Sequence, residues 1–398
     1  MIKIEDKVQC CGCEACSSIC PKNCIEMKID IEGFLYPLVN EIKCINCNLC
    51  EKVCPIINAK KVAEFKQDAY LLQNKNEVHL KQSTSGGAFT PIAEYVINQG
   101  GVVFGVAFDD EFNVLHIATE NIADLEKFRN SKYVQSRIGD TYRQAKKHLE
   151  SGELVCFSGT PCQIEGLRSF LRKDYENLIL IDVVCRAVPS PNVWNKYFEL
   201  ATTKYGEIKS VRFRDKTLGY QYSTMEIVTE NGKVYRDGIE SHPWLRMFFS
   251  GMIIRPSCTD CKFRNKYRNS DFTIWDCFNI YMIDKSFDET VGTTQMLIQS
   301  EKGQKLFEEL KQFFKYNLID TSSAVSGMKE LKLGPKENPQ KQEFFSDLDN
   351  NGLDFALNKY FPTTAKVKIK KYSRLTLNTI GLDRMVKHLR YKIKSLRG

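Results

Sequence analysis

Long apolar runs are missing from this chain: nowhere do 18 apolar residues follow one another, which excludes a helix spanning the hydrocarbon core of a bilayer. The opening stretch MIKIEDKVQCCGC has no apolar segment and no cleavage-site pattern, so a secretion signal is not expected. Histidine is scarce. His79, His116, His148, His242 and His388 stand singly, without metal-ligand spacing or a Ser or Cys companion motif, and read as core or surface residues. The three tryptophans, Trp194, Trp244 and Trp275, are expected in the core or in pocket walls. Excess charge is missing from most of the chain as well. The net +8 arises in Thr364–Gly398, which holds eleven of the 57 Lys/Arg residues and, among the 49 acids, only Asp383. The remaining 46 basic and 48 acidic residues nearly cancel, which argues against a nucleic-acid-binding body.

Cysteine, by contrast, is plentiful. Sixteen are present, ten of them within the first 54 residues. In a short secreted protein that would suggest disulfides; in a 398-residue chain without a signal it points to metal binding in a reducing cytoplasm. Length and composition (42% hydrophobic, 27% charged) suit two or three globular domains.

The chain divides by composition. Residues 1–57 are dense in Cys, and the polar stretch Asn58–Ala69 reads as a linker. Residues 83–330 alternate apolar strand-like runs with helical patterns, which predicts an α/β or α+β body. A helix is expected over Ser85–Asn98, entered through a Thr-Ser-Gly-Gly turn, then a buried strand at Gly101–Phe108. Further helices are expected at Asp140–Glu150 and Asn192–Tyr205, with strands at Glu153–Phe157 and Leu178–Val184. Thr160 is a helix N-cap candidate with Pro161 in the first helical position. Ile208–Tyr235 alternates as an antiparallel sheet does, with a hairpin turn at Asn231-Gly232, and Gly334–Lys341 is a loop.

Two copies of one motif carry the chemistry: Cys10-x2-Cys13-x2-Cys16-x3-Cys20-Pro21 and Cys44-x2-Cys47-x2-Cys50-x3-Cys54-Pro55. Three thiolates at this spacing wrap one face of a 4Fe–4S cube, and the fourth, beside proline, ligates the other cluster, as in bacterial ferredoxins. One cluster is therefore expected on Cys10, Cys13, Cys16 and Cys54, the other on Cys44, Cys47, Cys50 and Cys20. Structural zinc is the alternative; it commonly shows paired CxxC knuckles rather than this longer motif. Cys162 and Cys185 each follow an apolar strand, and Cys258-x2-Cys261 could close over them as a third four-thiolate site. The plainer alternative is two small buried side chains plus a zinc knuckle or reduced pair. Cys11, Cys24, Cys156 and Cys277 are left over, Cys156 as core.

The words TSGGAFT (84–90), SKYVQS (131–136), SGTPCQIEGL (158–167), VPSPNVW (188–194) and RPSCTDCKF (255–263) follow one another in this order. With the cysteine segment, they make residues 5–345 resemble the coenzyme F420 hydrogenase/dehydrogenase beta-subunit family. The resemblance implies a ferredoxin-like domain at 1–57, then a mixed-sheet α/β flavin domain in two parts, 70–175 and 176–345; the basic tail over 364–398, expected as an amphipathic helix, is read from charge and spacing instead. The resemblance implies FAD near Thr84, Ser85, Gly86 and Gly87, near Lys132, Tyr133, Gln135 and Ser136, and near Ser158, Gly159 and Thr160. It also implies cluster ligation by Cys162, Cys185, Cys258 and Cys261, and a role for Lys132 against a phosphate or a reduced flavin. Bacterial relatives of this kind are often linked to surface-polysaccharide synthesis. The chain departs from the family at Cys185-Arg186-Ala187, where Cys-His-Gly is common, and at Trp275-Asp276-Cys277-Phe278-Asn279, where Ala-Asp-Phe-Trp-Gly is common. Arg cannot serve as the acid–base group a His supplies.

The expected activity is electron passage from a ferredoxin-like donor through the clusters to FAD and an organic substrate, in either direction. Two rivals are a non-catalytic electron carrier that docks on a separate redox enzyme and a degenerate interaction protein. In the tail, Leu382, Met385, Val386, Leu389, Ile393 and Leu396 recur at helical spacing among Arg384, Lys387, Arg390, Lys392, Lys394 and Arg397. Such a helix either lies on anionic membrane or packs its apolar stripe on the body.

Overall fold

The computed structural model describes residues 1–59 and 61–382, together with 385, 386 and 389. His388 and the tail residues Asp383, Arg384, Lys387, Arg390, Lys392, Ile393, Lys394, Leu396 and Arg397 lie outside that set.

The N-terminal segment has little apolar material, and its fold reflects this. Strands β1 (Ile25–Ile29) and β2 (Leu35–Val39) pair antiparallel, and two one-turn helices, Ala15–Ile19 and Leu49–Lys52, carry cysteines from each motif. The interior is made of Cys16, Cys20, Cys24, Cys50 and Cys54 with Ile2 and Ile25. Thiols stand where a larger domain would place leucines.

The body holds an eight-stranded mixed sheet. Its strands are β3 (Ala69–Asn74), β4 (Val102–Phe108), β5 (Val114–Thr119), β6 (Val155–Gly159), β7 (Leu178–Val183), then β11 (Phe272–Asp276), β12 (Thr294–Ile298) and β13 (Phe314–Ile319). The order across the sheet is β13-β3-β12-β11-β7-β6-β4-β5, with β4, β6, β7 and β11 parallel. The other three strands, β8 (Ile208–Asp215), β9 (Thr224–Thr229) and β10 (Val234–Gly238), form a separate antiparallel sheet. The β9–β10 turn falls at Asn231-Gly232, as the hairpin pattern predicts.

Parallel strands covered on both faces need continuous apolar runs, and β4, β6 and β7 have them. Val155 and Phe157 face one apolar layer, which holds the helices Thr141–Glu150 and Pro161–Leu171. Cys156 points to the opposite layer, with Phe89–Asn98 and Glu301–Leu310, and is a core residue as expected. Thr160 caps the helix Pro161–Leu171 in a capping box with Gln163. Trp194 and Trp244 sit fully buried in a third core beneath β8 and β9, and Trp275 is buried beside Leu297.

Two local expectations are corrected. The helix predicted from Ser85 starts at Phe89, because Gly86 is threaded between β3 and β12. A Cβ on Gly86 would lie 2.0 Å from the Leu72 carbonyl oxygen and 2.5 Å from the Thr294 nitrogen, so the turn has to pass before the helix begins. The linker ends sooner than Ala69: Gln67 is buried, its amide donating to Gln299 (2.6 Å) and to the Lys266 carbonyl (2.9 Å), and Ala69 opens β3.

Candidate functional site

The two cysteine motifs repeat in backbone as well as in sequence. Gly12 and Glu14 in the first have φ of 67° and 60°; Asn46 and Asn48, at the same places in the second, have 52° and 57°. Positive φ at both places turns the loop so that successive thiols face inward. Cys20, Cys44, Cys47 and Cys50, the second predicted ligand set, line one pocket together with Cys24. Cys10 and Cys16 neighbour Cys13 on one side and Cys54 on the other, which draws the first set together, with Cys50 of the second set also close to Cys16 and Cys54. Burial, with the neighbouring thiols, pushes the Cys16 and Cys54 thiols up. Such groups become thiolates only with a positive centre beside them, which cluster iron supplies. Among the described residues, no three Cys, His, Asp or Glu side chains gather tightly enough for a single ion.

The third set comes from three distant stretches. Cys162 occupies the second position of the helix behind β6, Cys185 follows β7, and β6 and β7 are parallel neighbours, so both thiols leave the same sheet edge. Cys258 and Cys261 close over them: Cys185 has Cys258, Cys162 and Cys261 as electrostatic neighbours, together with Arg264. Burial pushes the Cys258 thiol up to about 12. The Thr160 hydroxyl lies 3.2 Å from Cys162 Sγ. Cys11, left unassigned by the motif, lies between Cys13 and Cys162, its thiol pushed up by Cys13 and by burial, and so stands between the first set and the third. Cys24 lies 3.3 Å from Cys20, and that bond, with burial, pushes its thiol up to about 11.

The predicted flavin residues separate into two groups bridged by the SKYVQS segment. In the first, the Thr84 hydroxyl meets Ser131 (3.0 Å), Ser85 donates to the Thr293 carbonyl, and the Gly86 amide donates to Thr294. Gly87, at φ 76°, accepts from Asn74. Lys132 is turned onto the carbonyls of Lys127 and Arg129, and burial, with Arg212 nearby, lowers its ammonium to about 7. Tyr133 accepts from Arg214 (3.1 Å). In the second, Gln135 donates to the Cys11 carbonyl and Ser136 receives Gln163, while the Ser158 carbonyl accepts from His116. Gly159 and Thr160 close against Gln163, beside Cys162. A cleft of about 450 Å³ along β5, against Leu115–Ala118 and 137–141, holds none of these residues.

A cluster that the sequence did not announce lies against the first group. Buried Arg214 pairs with Asp276 (3.0 Å), Tyr220 donates to the same carboxylate (2.8 Å), and Phe278 stacks on Tyr220 beneath the guanidinium. Lys216 donates to the Ser85, Leu80 and Val291 carbonyls, and burial lowers it to about 7. Arg214 Nη2 is buried without a hydrogen-bond partner, an open donor beside Tyr133 that fits an anionic group such as a flavin phosphate or ring. Asp276 and Phe278 belong to the departing Trp275–Asn279 stretch; their partner Arg214 has no motif that would have flagged it. The other departure, Arg186, pairs with Glu330 (3.4 Å) and covers Phe249, away from acid–base work.

Paired cysteine loops, a third thiol set at a parallel sheet edge and a flanking cationic pocket define an iron–sulfur redox protein. Residues 9–58 match the 4Fe-4S dicluster domain, and residues 152–322 match the C terminus of the coenzyme F420 hydrogenase/dehydrogenase beta subunit. Residues 9–58 thus carry a 4Fe–4S dicluster domain, and residues 152–322 are similar to the C-terminal part of that beta subunit. No curated protein matches the chain. Among solved structures it is similar to a chain from a xenon-derivatised F420-reducing NiFe hydrogenase complex of Methanosarcina barkeri. That likeness has 13% identity over 73% of this chain and 94% of that chain, at a TM-score of 0.44.

Proposed function

We propose that the chain is a cytoplasmic iron–sulfur flavoprotein oxidoreductase that passes electrons between a ferredoxin-like donor and an organic substrate, with surface-polysaccharide synthesis as the process the sequence likeness suggests. Cys10, Cys13, Cys16 and Cys54 hold one 4Fe–4S cluster, Cys44, Cys47, Cys50 and Cys20 a second, and Cys162, Cys185, Cys258 and Cys261 a third. The observation that carries this reading is the succession of thiols. It runs from exposed Cys47 through Cys50 and Cys54 to Cys10 and Cys13, then by Cys11 to Cys162 and the sheet edge.

FAD, when bound, supplies the exchange between single electrons and a hydride pair. Thr84–Gly87 and Lys132–Ser136 border its place, and Ser158–Thr160 hold the side facing the third thiol set. Arg214 offers the anion its open N–H. Lys132 and Lys216, both near 7, hold or release a proton at Nζ around neutral pH. Anaerobic purification with iron, sulfide and flavin counted per chain tests the assignment. About twelve irons and one FAD support it under four irons per cluster. About eight irons without flavin favour the non-catalytic carrier, a reading that the exposure of Cys47 at the outer end also suits.

We also propose that the basic tail contacts anionic membrane. The helix Ala365–Thr379 docks through its polar side: Lys371 to Asp237, Arg374 to Glu240 and the Tyr222 carbonyl, Asn378 to the Leu218 carbonyl. Two of its apolar residues face outward, Ile369 at 69% exposure and Tyr372 at 61%, while Val367, Leu375 and Leu377 are half-buried. A helix held this way offers its apolar stripe to a lipid surface. Co-sedimentation with vesicles rich in phosphatidylglycerol, lost on deleting residues 364–398, supports the contact; no binding by the full chain ends it.

A further inference from the structure

Arg255 is fully buried, and among the described residues no carboxylate lies within 4.0 Å of it. An unpaired buried guanidinium is costly unless other anions surround it. Its surroundings come from two parts of the chain. Nε donates to the Cys10 carbonyl (2.8 Å), and Nη2 donates to the Leu35 carbonyl (2.9 Å) and reaches Cys10 Sγ at 3.5 Å. Nη1 donates to Gln135 Oε1 (3.0 Å), and the Gln135 amide in turn donates to the Cys11 carbonyl (3.1 Å). Tyr36 and Phe34 cover the guanidinium faces at 4.5 and 5.3 Å. On its other flank, Arg255 opens the turn that presents Cys258, whose amide donates to the Arg255 carbonyl. The contact leaves no room at Gly12: a Cβ there would meet Nη1 at 2.5 Å. One cation therefore touches a thiol of the first set while sharing a turn with a thiol of the third.

We propose that Arg255 sets the reduction potential of the cluster held by Cys10, Cys13, Cys16 and Cys54, and keeps it matched to the cluster held by Cys162, Cys185, Cys258 and Cys261. This rests on the cluster assignment above. A one-electron donor adds one electron and one unit of negative charge to the cluster and its thiolates. A fixed cation bonded to Cys10 Sγ in a dry interior favours that reduced state over the oxidised one. Removing the charge lowers the potential. Arg255 is thus a positioning and tuning residue, not a catalytic one.

The test compares wild type, Arg255→Lys and Arg255→Gln as full-length, anaerobically purified protein. Iron and sulfide are counted first, then the clusters are titrated potentiometrically with EPR detection. In Arg255→Gln, the oxidised-to-reduced ratio of one cluster at fixed potential is expected to rise about tenfold, a downward shift of about 59 mV for a one-electron couple. Arg255→Lys, which keeps the charge but not the planar fork, is expected to keep most of the wild-type potential. Wild-type potentials in an iron-replete Arg255→Gln overturn the proposal. So does an equal shift in both variants, since charge would then not be the cause. If Arg255→Gln loses its iron, the lysine variant decides: an iron-replete protein near the wild-type potential supports the proposal, and one shifted by about 59 mV or more sinks it. A wild type without iron instead overturns the cluster assignment.

Discussion

At the residue scale, burial and pairing compete, and the winner differs from site to site. Asp182 and Arg268 form a pair at 3.1 Å with both side chains buried. Burial still raises the Asp182 carboxyl above the usual carboxylate range, although Arg268 pulls it down. Removing the cation alone leaves the carboxylate stranded, so Arg268→Met should cost about 3–5 kcal/mol in urea unfolding. Adding Asp182→Leu should recover most of the loss. A single-variant cost below about 1 kcal/mol would contradict this account. His242 is the pH counterpart. Burial lowers its imidazole from near 6.5 to about 4, Asp237 opposing and Lys204 and Lys371 adding to the fall. The unfolded chain takes up a proton there as pH drops through about 6.5, the folded chain only near 4. Acid therefore favours unfolding across that window, by up to about 3 kcal/mol from this one group. Unfolding measured from pH 7 to 4.5 should show a shallower decline for His242→Gln than for wild type, and parallel curves would refute the assignment.

At the scale of elements, the turn before Phe89–Asn98 looks from sequence like a phosphate cradle, yet its first glycine is required by the sheet. Gly86→Ala has to push β3 and β12 apart, and should destabilise the chain by about 3 kcal/mol, the upper range for overpacking. Gly87 is limited by its φ of 76° rather than by space of that kind, so Gly87→Asn should be milder than Gly87→Ala. Denaturation midpoints of the three variants decide the ranking. Local signals served well where the cause is local: Thr160 and Pro161 start a helix, and Asn231-Gly232 turns a hairpin, because capping and turn geometry depend on a few adjacent residues. They failed at Ser85 and Gln67, where strands more than 200 residues away in sequence set the boundary.

At the scale of the whole molecule, the N-terminal segment and the body differ in what holds them. The body has three apolar cores and a covered eight-stranded sheet; residues 1–57 have mainly thiols inside. The segment meets the body through polar contacts (Glu14 to the amides of Ile138 and Gly139, Arg143 to the Ser17 and Ser18 carbonyls, Lys341 to Glu32) and through a small apolar seam of Ala15 and Val53. Stripping iron with a chelator in air should therefore release residues 1–57 first. Hydrogen exchange is expected to rise across that segment while β4, β6 and β7 stay protected. Simultaneous loss of protection in both would show that the two parts unfold as one.

The spacing of eight cysteines by itself determined the dicluster motif, because ligand order around a cube is dictated by loop lengths of two and three residues. Apolar runs likewise determined that a covered mixed sheet would form. Only the tertiary structure decided that Cys11 would stand between two thiol sets, that Arg255 would reach Cys10 across 245 positions, and that Arg214 would meet Asp276 beside Tyr133. Those contacts join chain segments with no local pattern in common. Which charges face each other in a dry interior is fixed by how the layers pack, and that information is spread over the whole fold.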